Sequence, residues 1–401
     1  MLSKEENELI TSVAPGTPGG DLFRRFWHPV GLLLDVSAES PTKFVRILGE
    51  DLVLFRDRSG RVGLIADHCS HRGASLLYGR VEERGIACAY HGWLYDAQGN
   101  CLETPAEPAD SKFHLTVKHR AYPVRERYGL YWTYMGPEPA PAMPRIDILE
   151  DYRVWAVGVV PQQDCNWLQI MENNIDQAHV FILHQDTSGR AEPVESTTRG
   201  LIDKLEMIDY REEPLGIIRK QVLKNGYVET DLYMFPNMQR VLNHISIKVP
   251  IDTTHTRNFR IFADVAGGSV ADNGASSEPI QYFLESMDDA KSPPDAVYPS
   301  AHYRMDQLRF QDFMVMETQG PISARENEHL ATTDRGVALL RTILKREILS
   351  LHEGADPKGV VRDPDFVIRT HTETLHDDRR SRWVRPSGVR IHAEPQSDGV
   401  R

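Results

Sequence analysis

Cysteine is scarce in this chain, with only four among 401 residues. Two of the four stand beside histidines at metal-ligand spacing, which fits a reducing compartment and leaves no disulfide framework to expect. Long apolar runs are missing as well. No segment reaches eighteen uninterrupted apolar residues, and residues 1–10 carry Lys4, Glu5, Glu6 and Glu8 where a signal peptide would need an apolar stretch. A cytoplasmic protein with no membrane partner is the expectation. Basic runs are also absent and the formal net charge is −12, which argues against a nucleic-acid or anionic-membrane partner. There is no G-x-G-x-x-G fingerprint, so the chain is not expected to bind a dinucleotide itself.

What is present is enough for two or three domains, each with a buried core, given 401 residues of which 40% are hydrophobic. A charged, helical start over residues 3–11 leads through a Pro/Gly bend at 15–20 to an aromatic run at 23–28. Residues 44–66 alternate with period two and turn at Gly60, the pattern of short antiparallel strands. The segment P-E-P-A-P-A-M-P at 137–144 interrupts regular structure and is the clearest boundary. Beyond it we expect a strand at 152–160, a helix from 166 to about 184, and strands at 216–223, 227–234, 241–250 and 257–265. A surface loop at 266–279, helices at 299–317 and 336–351, and a weakly patterned tail from 363 complete the reading.

The first chemical signal is Cys69-x-His71 followed, sixteen residues later, by Cys88-x-x-His91. Two Cys and two His suit a structural zinc site. However, each pair here is mixed and each is followed by a glycine, Gly73 and Gly92, within a strand-rich region. Mixed pairs suit a two-iron cluster that takes two thiolates on one side and two imidazoles on the other.

The stretches C-S-H-R-G-A-S-L at 69–76 and C-A-Y-H-G-W-L-Y-D-A-Q-G at 88–99 resemble the Rieske domain of ring-hydroxylating oxygenase α subunits. Respiratory Rieske proteins carry an extra cysteine in each loop. Here Ser70, Arg72, Ala89 and Tyr90 fill those loops, and Cys101 and Cys165 have no assigned role. By this resemblance Cys69, His71, Cys88 and His91 hold a [2Fe-2S] cluster.

A second site is sought in the 260-odd residues past the boundary. Asp176 and His179 share a helical face, whereas His179 and His184 stand about 140° apart on a regular helix. The helix must therefore end near His179 or contain a bulge if both are to reach one ion. Glu172 and Asp176 are like charges at i, i+4, and the apolar block at 180–183 turns the histidines inward. Two imidazoles and one carboxylate form the triad that holds non-haem Fe(II). The family motif D-x-x-H-x₄-H matches here, which implies His179 and His184 as ligands and Asp176 as a bridge to a Rieske histidine of a neighbouring subunit. Leu168 stands where the family often has Lys. The Q-D…Q-G stretch at 311–320 implies Asp312 as the carboxylate ligand, ahead of Glu317, Asp306 and Glu326.

The whole pattern resembles the phthalate dioxygenase branch. It implies an α+β chain: an antiparallel β Rieske domain with its N-terminal extension at 1–140, and a catalytic mononuclear-iron domain at 145–362, whose central antiparallel sheet is flanked by helices. A C-terminal arm follows at 363–401. The implied function is a terminal oxygenase that takes electrons from a separate NAD(P)H-dependent reductase. With O₂ as co-substrate at Fe(II), it hydroxylates a small aromatic, carboxylate-bearing substrate. Oxidative O- or N-demethylation is the alternative, and an electron-transfer Rieske protein without catalytic iron the weaker one. Homotrimers or stacked trimers are implied. Asn173, Asn243 and His244 are the substrate-contact candidates, and Arg199, Arg219, Arg240 and Lys248 are the cations an anionic substrate would seek.

Overall fold

Short strands joined by tight turns build the smaller of two compact units, which spans residues 24–140. The computed structural model describes residues 2–184, 205–224, 226, 228–265, 267–270, 278–285, 290–292, 302–305, 307–351, 355–370 and 389–391. In the smaller unit, β1 (Trp27–Leu32), β2 (Thr42–Ile47), β3 (Glu50–Arg56) and β4 (Val62–Ala66) are followed by β5 (Arg80–Glu82), β6 (Gly85–Ala87), β7 (Leu94–Tyr95) and β8 (Cys101–Glu103). β9 (Ala121–Tyr122), β10 (Val124–Arg127) and β11 (Leu130–Tyr134) complete it. They pair antiparallel as three sheets, ordered β1-β11-β10, β2-β3-β4-β9 and β5-β6-β7-β8. Val53, Phe55, Ile65, Leu76, Ile86 and Tyr95 form the core, and Cys69 and Cys88 are buried among them.

The larger unit joins residues 1–23 to 141–390. It carries α1 (Lys4–Thr11), α2 (Pro18–Phe23), α3 (Asp147–Asp151), α4 (Trp167–Ile175), α5 (Ala178–Ile182), α6 (Leu308–Glu317) and α7 (Arg335–Ser350). Around them run β12 (Arg145–Ile146), β13 (Val154–Gln163), β14 (Leu205–Glu213), β15 (Gly216–Leu223), β16 (Val228–Met234), β17 (Met238–Val241), β18 (His244–Pro250) and β19 (Thr256–Ala263). Shorter strands are β20 (Gln281–Leu284), β21 (Lys291–Ser292), β22 (His302–Tyr303), β23 (Val367–Ile368) and β24 (Val389–Ile391). The main sheet runs β14-β15-β16-β17-β18-β19-β13-β20-β24. It is mixed rather than antiparallel throughout, because β20 pairs parallel with β13. No described helix is long and apolar enough to cross a membrane.

The N-terminal extension belongs with this larger unit, not with the metal loops as the sequence reading had it. A capping box between Ser3 and Glu6 starts α1. The Asn7 amide then donates to the Ser323 carbonyl at 2.9 Å, and Arg325 Nη1 donates to Asn7 Oδ1 at 3.1 Å. Phe23 packs edge-on against Trp167 at 4.6 Å. The expected strand at 241–250 is interrupted by a turn at Leu242 and Asn243, and the expected helix at 299–317 starts only at Leu308. Residues 266 and 271–277 of the expected surface loop and residues 371–388 and 392–401 of the tail lie outside the described residues, as do Arg199 and Asp306.

Candidate metal centre

The two Cys/His loops are closed by the same backbone bonds. Cys69 N–H donates to Ala74 O and Gly73 N–H to Cys69 O, while Cys88 N–H donates to Trp93 O and Gly92 N–H to Cys88 O, each at 2.9 Å. Gly73 and Gly92 both adopt φ +72°, a left-handed conformation that a side chain at either place would strain. The cysteines point inward and are buried, whereas His71 is exposed and His91 half-buried. The imidazole rings lie 4.6 Å apart, and Trp93 stacks flat on His71 at 4.4 Å. Burial raises the Cys88 thiol in the metal-free chain, so a metal taken up here displaces a proton.

Residues around the loops were not given roles from sequence. The Tyr95 hydroxyl donates to Cys69 Sγ at 3.2 Å, and burial raises the phenol far above its ordinary value, so it remains a donor. His119 Nε2 donates to Ala66 O at 2.8 Å, which leaves Nδ1 to accept from Ser70 Oγ, also at 2.8 Å. Burial holds that imidazole neutral. Tyr95 sits inside the quoted motif, but no spacing rule marks His119. Cys101 and Cys165 are buried thiols, raised by burial, and neither forms a disulfide.

In the larger unit the second site is built where α4 stops. Asn166 caps α4 by accepting from Leu168 N–H at 3.0 Å. At the other end Asp176 N–H makes the last helical bond to Glu172 O, and its own Oδ1 accepts from Ala178 N–H at 2.7 Å. That local side-chain bond breaks the helix and starts α5 on a new axis. His179 and His184, which a continuous helix would splay, now face one another with ring centres 5.5 Å apart. Leu168 is fully buried, and nothing in the structure explains its departure from the family pattern.

Asp312 on α6 completes the cluster. Its Oδ1 lies 3.6 Å from His179 Nε2 and 3.3 Å from His184 Nε2, and the three donor atoms fall within 4.8 Å of one another. Bonds of about 2.1 Å at right angles would put cis donors about 3 Å apart, so one ion fits between them. The buried Asp312 Oδ1 has no hydrogen-bond partner among the described residues, which a metal would supply. His184 Nδ1 donates to Gln311 Oε1 at 2.8 Å and so turns Nε2 toward Asp312. Burial alone would lower His179 and raise Asp312. Instead the carboxylates of Asp176 and Asp312 lift the imidazole to about 9, and the two histidines hold Asp312 below its ordinary value. Asp176 Oδ2 is 3.7 Å from His179 Nδ1, too long for a direct hydrogen bond but close enough for its charge to act.

The rival acids go elsewhere. Glu317 pairs with Lys291 at 3.0 Å and accepts from the Tyr303 hydroxyl. Glu172 is no unbalanced partner of Asp176, contrary to the expected repulsion. It lies between Arg325 at 2.7 Å and Arg341 at 2.6 Å, neutralised from both sides.

Asp312 opens on a cavity of about 440 Å³ between β18, β19, α4 and α6, a volume suited to a small organic ligand. Asn173 and His244 line it as expected. Asn243 does not line it: it is buried at the turn before β18, and its amide approaches the Ala263 carbonyl at 3.4 Å. Of the candidate cations only Lys248 reaches the cavity. Arg219 is bound to Asp231 and Gln177, and Arg240 donates to Thr370 at 3.0 Å.

Residues 26–123 match the Rieske [2Fe-2S] domain family. The chain is 34% identical over 391 residues to the 5,5'-dehydrodivanillate O-demethylase oxygenase subunit of Sphingobium sp. (strain NBRC 103272 / SYK-6), covering 94% of this chain and 88% of that one. It is 36% identical to the phenoxybenzoate dioxygenase subunit alpha of Ectopseudomonas oleovorans, covering 92% and 91%. Among solved structures, NdmB of Pseudomonas putida CBB5 superposes with TM-score 0.58 at 21% identity over 87% of this chain and 98% of that one, which supports the fold. With near-complete coverage by such relatives, the chain belongs to the phthalate dioxygenase-like Rieske non-haem iron oxygenases, as a terminal oxygenase subunit using a [2Fe-2S] cluster and a mononuclear iron.

Proposed function

We propose that this oxygenase acts on a small aromatic substrate held in the 440 Å³ cavity, with His179, His184 and Asp312 as iron ligands and Cys69, His71, Cys88 and His91 as cluster ligands. The single observation that carries the reading is that the only such His/Asp group among the described residues has its carboxylate in the wall of a ligand-sized cavity. When bound, the mononuclear iron supplies dioxygen activation with electrons relayed through the cluster. The chain's own residues hold and orient. Gln311 fixes the His184 tautomer and Asp176 bears on His179, while Ile170, Phe313 and Met316 keep that wall apolar. Asp176 is the proposed bridge to the cluster of a neighbouring subunit in a trimer or stacked trimer. A separate NAD(P)H-dependent reductase and a cytoplasmic setting belong to the same proposal.

Turnover with a matched reductase tests it. Asp312→Ala should lose mononuclear iron and product while keeping the cluster spectrum, and normal iron content would overturn the ligand assignment. Both an O-demethylase and a dioxygenase stand among the relatives, so labelled O₂ separates the two outcomes. One labelled atom with formaldehyde release marks demethylation, and two labelled atoms mark dihydroxylation.

A further inference from the structure

The strands that wall the cavity alternate in an unusual way. In β18, His244, Ser246 and Lys248 face one side and Ile245, Ile247 and Val249 the other, yet every residue of the strand is buried. In β19, Asn258 and Arg260 stand opposite Lys248 and Ser246, and directly opposed residues in an antiparallel pair share a face. A strand buried on both faces normally carries apolar residues on both. Here one buried face is polar, and it is the face that lines the cavity with Asp312.

Lys248 is the least satisfied member of that face. It is 1% exposed, and among the described residues its ammonium has no hydrogen-bond acceptor and no carboxylate partner. Its backbone is clamped on both sides: its N–H donates to Asn237 O at 3.0 Å, and Asn237 Nδ2 donates to its carbonyl at 2.7 Å. The side chain is therefore delivered to the cavity by a fixed strand. The two arginines nearby differ from it, because Arg260 and Arg309 share Glu285 at 3.0 and 3.6 Å. Burial and the Arg260 charge both press the Lys248 proton off, so the empty site is costly for an ammonium and an anion would relieve it. His244 Nδ1 and Gln163 Oε1, also on the cavity wall, are buried without partners.

We infer that Lys248 anchors the carboxylate of an aryl carboxylate substrate, with the neighbouring Ser246–Asn258 pair as its polar flank. This assignment rests on the cavity being the substrate site of the oxygenase. An ammonium–carboxylate bond in a desolvated pocket is worth about 10- to 100-fold in affinity. An amide of the same shape and without the charge does not obtain it.

The test is calorimetric binding to the full chain carrying both metals, anaerobically and without reductase. The probes are benzoate and biphenyl-3-carboxylate, each beside its primary amide. The expected result is that the acids bind about 10- to 100-fold tighter than the amides, and that Lys248→Met and Lys248→Gln bring acid affinity down to the amide level while amide affinity holds. Equal affinity for acid and amide, no measurable binding of either acid, or a preference that survives in a folded variant overturns the anchor. The wild-type comparison decides whether the cavity holds an unmatched cation whatever the stability of the variants. Selective acid binding without turnover of any aryl acid sinks the oxygenase reading alone, whereas turnover of neutral arenes with no acid preference sinks the anchor alone.

Discussion

His184 Nδ1 donates a 2.8 Å hydrogen bond to the side-chain carbonyl of Gln311, the residue immediately before Asp312. One turn of α6 therefore supplies both the proposed carboxylate ligand and the group that aims a proposed imidazole ligand. Gln311 is itself fixed, since its Nε2 donates to Met305 O at 2.8 Å. Gln311→Leu removes the orienting bond at nearly the same volume. Mononuclear iron affinity should fall about 10- to 100-fold with the cluster intact, measured by iron titration against absorbance of the [2Fe-2S] centre. Unchanged affinity would show that packing alone orients His184.

Iron uptake should depend on pH through His179. Its ordinary value of 6.5 is raised to about 9 in the metal-free chain by Asp176 and Asp312, which outweigh burial. A raised value means that the proton stabilises the folded apoprotein fully below the ordinary value, and that this contribution is lost as pH rises through about 9. Iron needs the neutral imidazole, so it competes with that proton. Apparent Fe(II) affinity should climb by up to about tenfold per pH unit below 9 and then flatten. A flat profile between pH 6 and 8 would remove His179 from the ligand set.

Glu172 is the pin at the end of α4. Arg325 is fully buried and donates to Glu172 at 2.7 and 3.0 Å, and Arg341 donates at 2.6 Å. Glu172→Ala strands two buried guanidiniums, which should cost about 3–5 kcal/mol of stability and be visible as a lower unfolding midpoint. Arg341 keeps Glu328 as a partner, so the loss should centre on Arg325. Because α4 carries the chain into Asp176, the same variant should also loosen iron retention.

The cluster loops were legible because their ligands are close in sequence and their turns need glycine. Gly73 and Gly92 report a backbone requirement that no other residue meets cheaply. His179 and His184 were legible as a pair, but not the way in which they converge. The break comes from Asp176 bonding Ala178 N–H, a choice between helix and side-chain bond that local sequence leaves open. Glu172 misled because its cationic partners lie more than 150 residues away. β14 was missed because its sequence L-E-M-I-D-Y-R-E-E is mostly charged and is held in place by pairing with β15. The polar face of β18 was visible as alternation, but only burial shows that it faces a cavity and not water.

Tyr95 should tune the cluster. Its hydroxyl donates to Cys69 Sγ, and such bonds favour the more negative, reduced cluster. Tyr95→Phe removes about 1 kcal/mol of that preference, equivalent to a fall of roughly 40 mV for one electron. Protein-film voltammetry would read it, and an unchanged potential would mean that the hydroxyl plays only a packing role.

Asp176 performs two functions with two oxygens. Oδ1 holds the Ala178 N–H and so the break between α4 and α5, whereas Oδ2 lies toward His179. Asp176→Asn can keep the first through its amide oxygen while losing the charge that acts on the second. Both metals should therefore remain bound, since neither proposed ligand set includes this residue. If Asp176 is the electron bridge, oxidation of a pre-reduced cluster in a single turnover should slow by about 100-fold, as expected when a positioning contact is lost. Asp176→Ala removes the turn as well, so the alanine variant should lose iron retention in addition to rate. Normal cluster oxidation in the asparagine variant would leave Asp176 as a helix breaker alone.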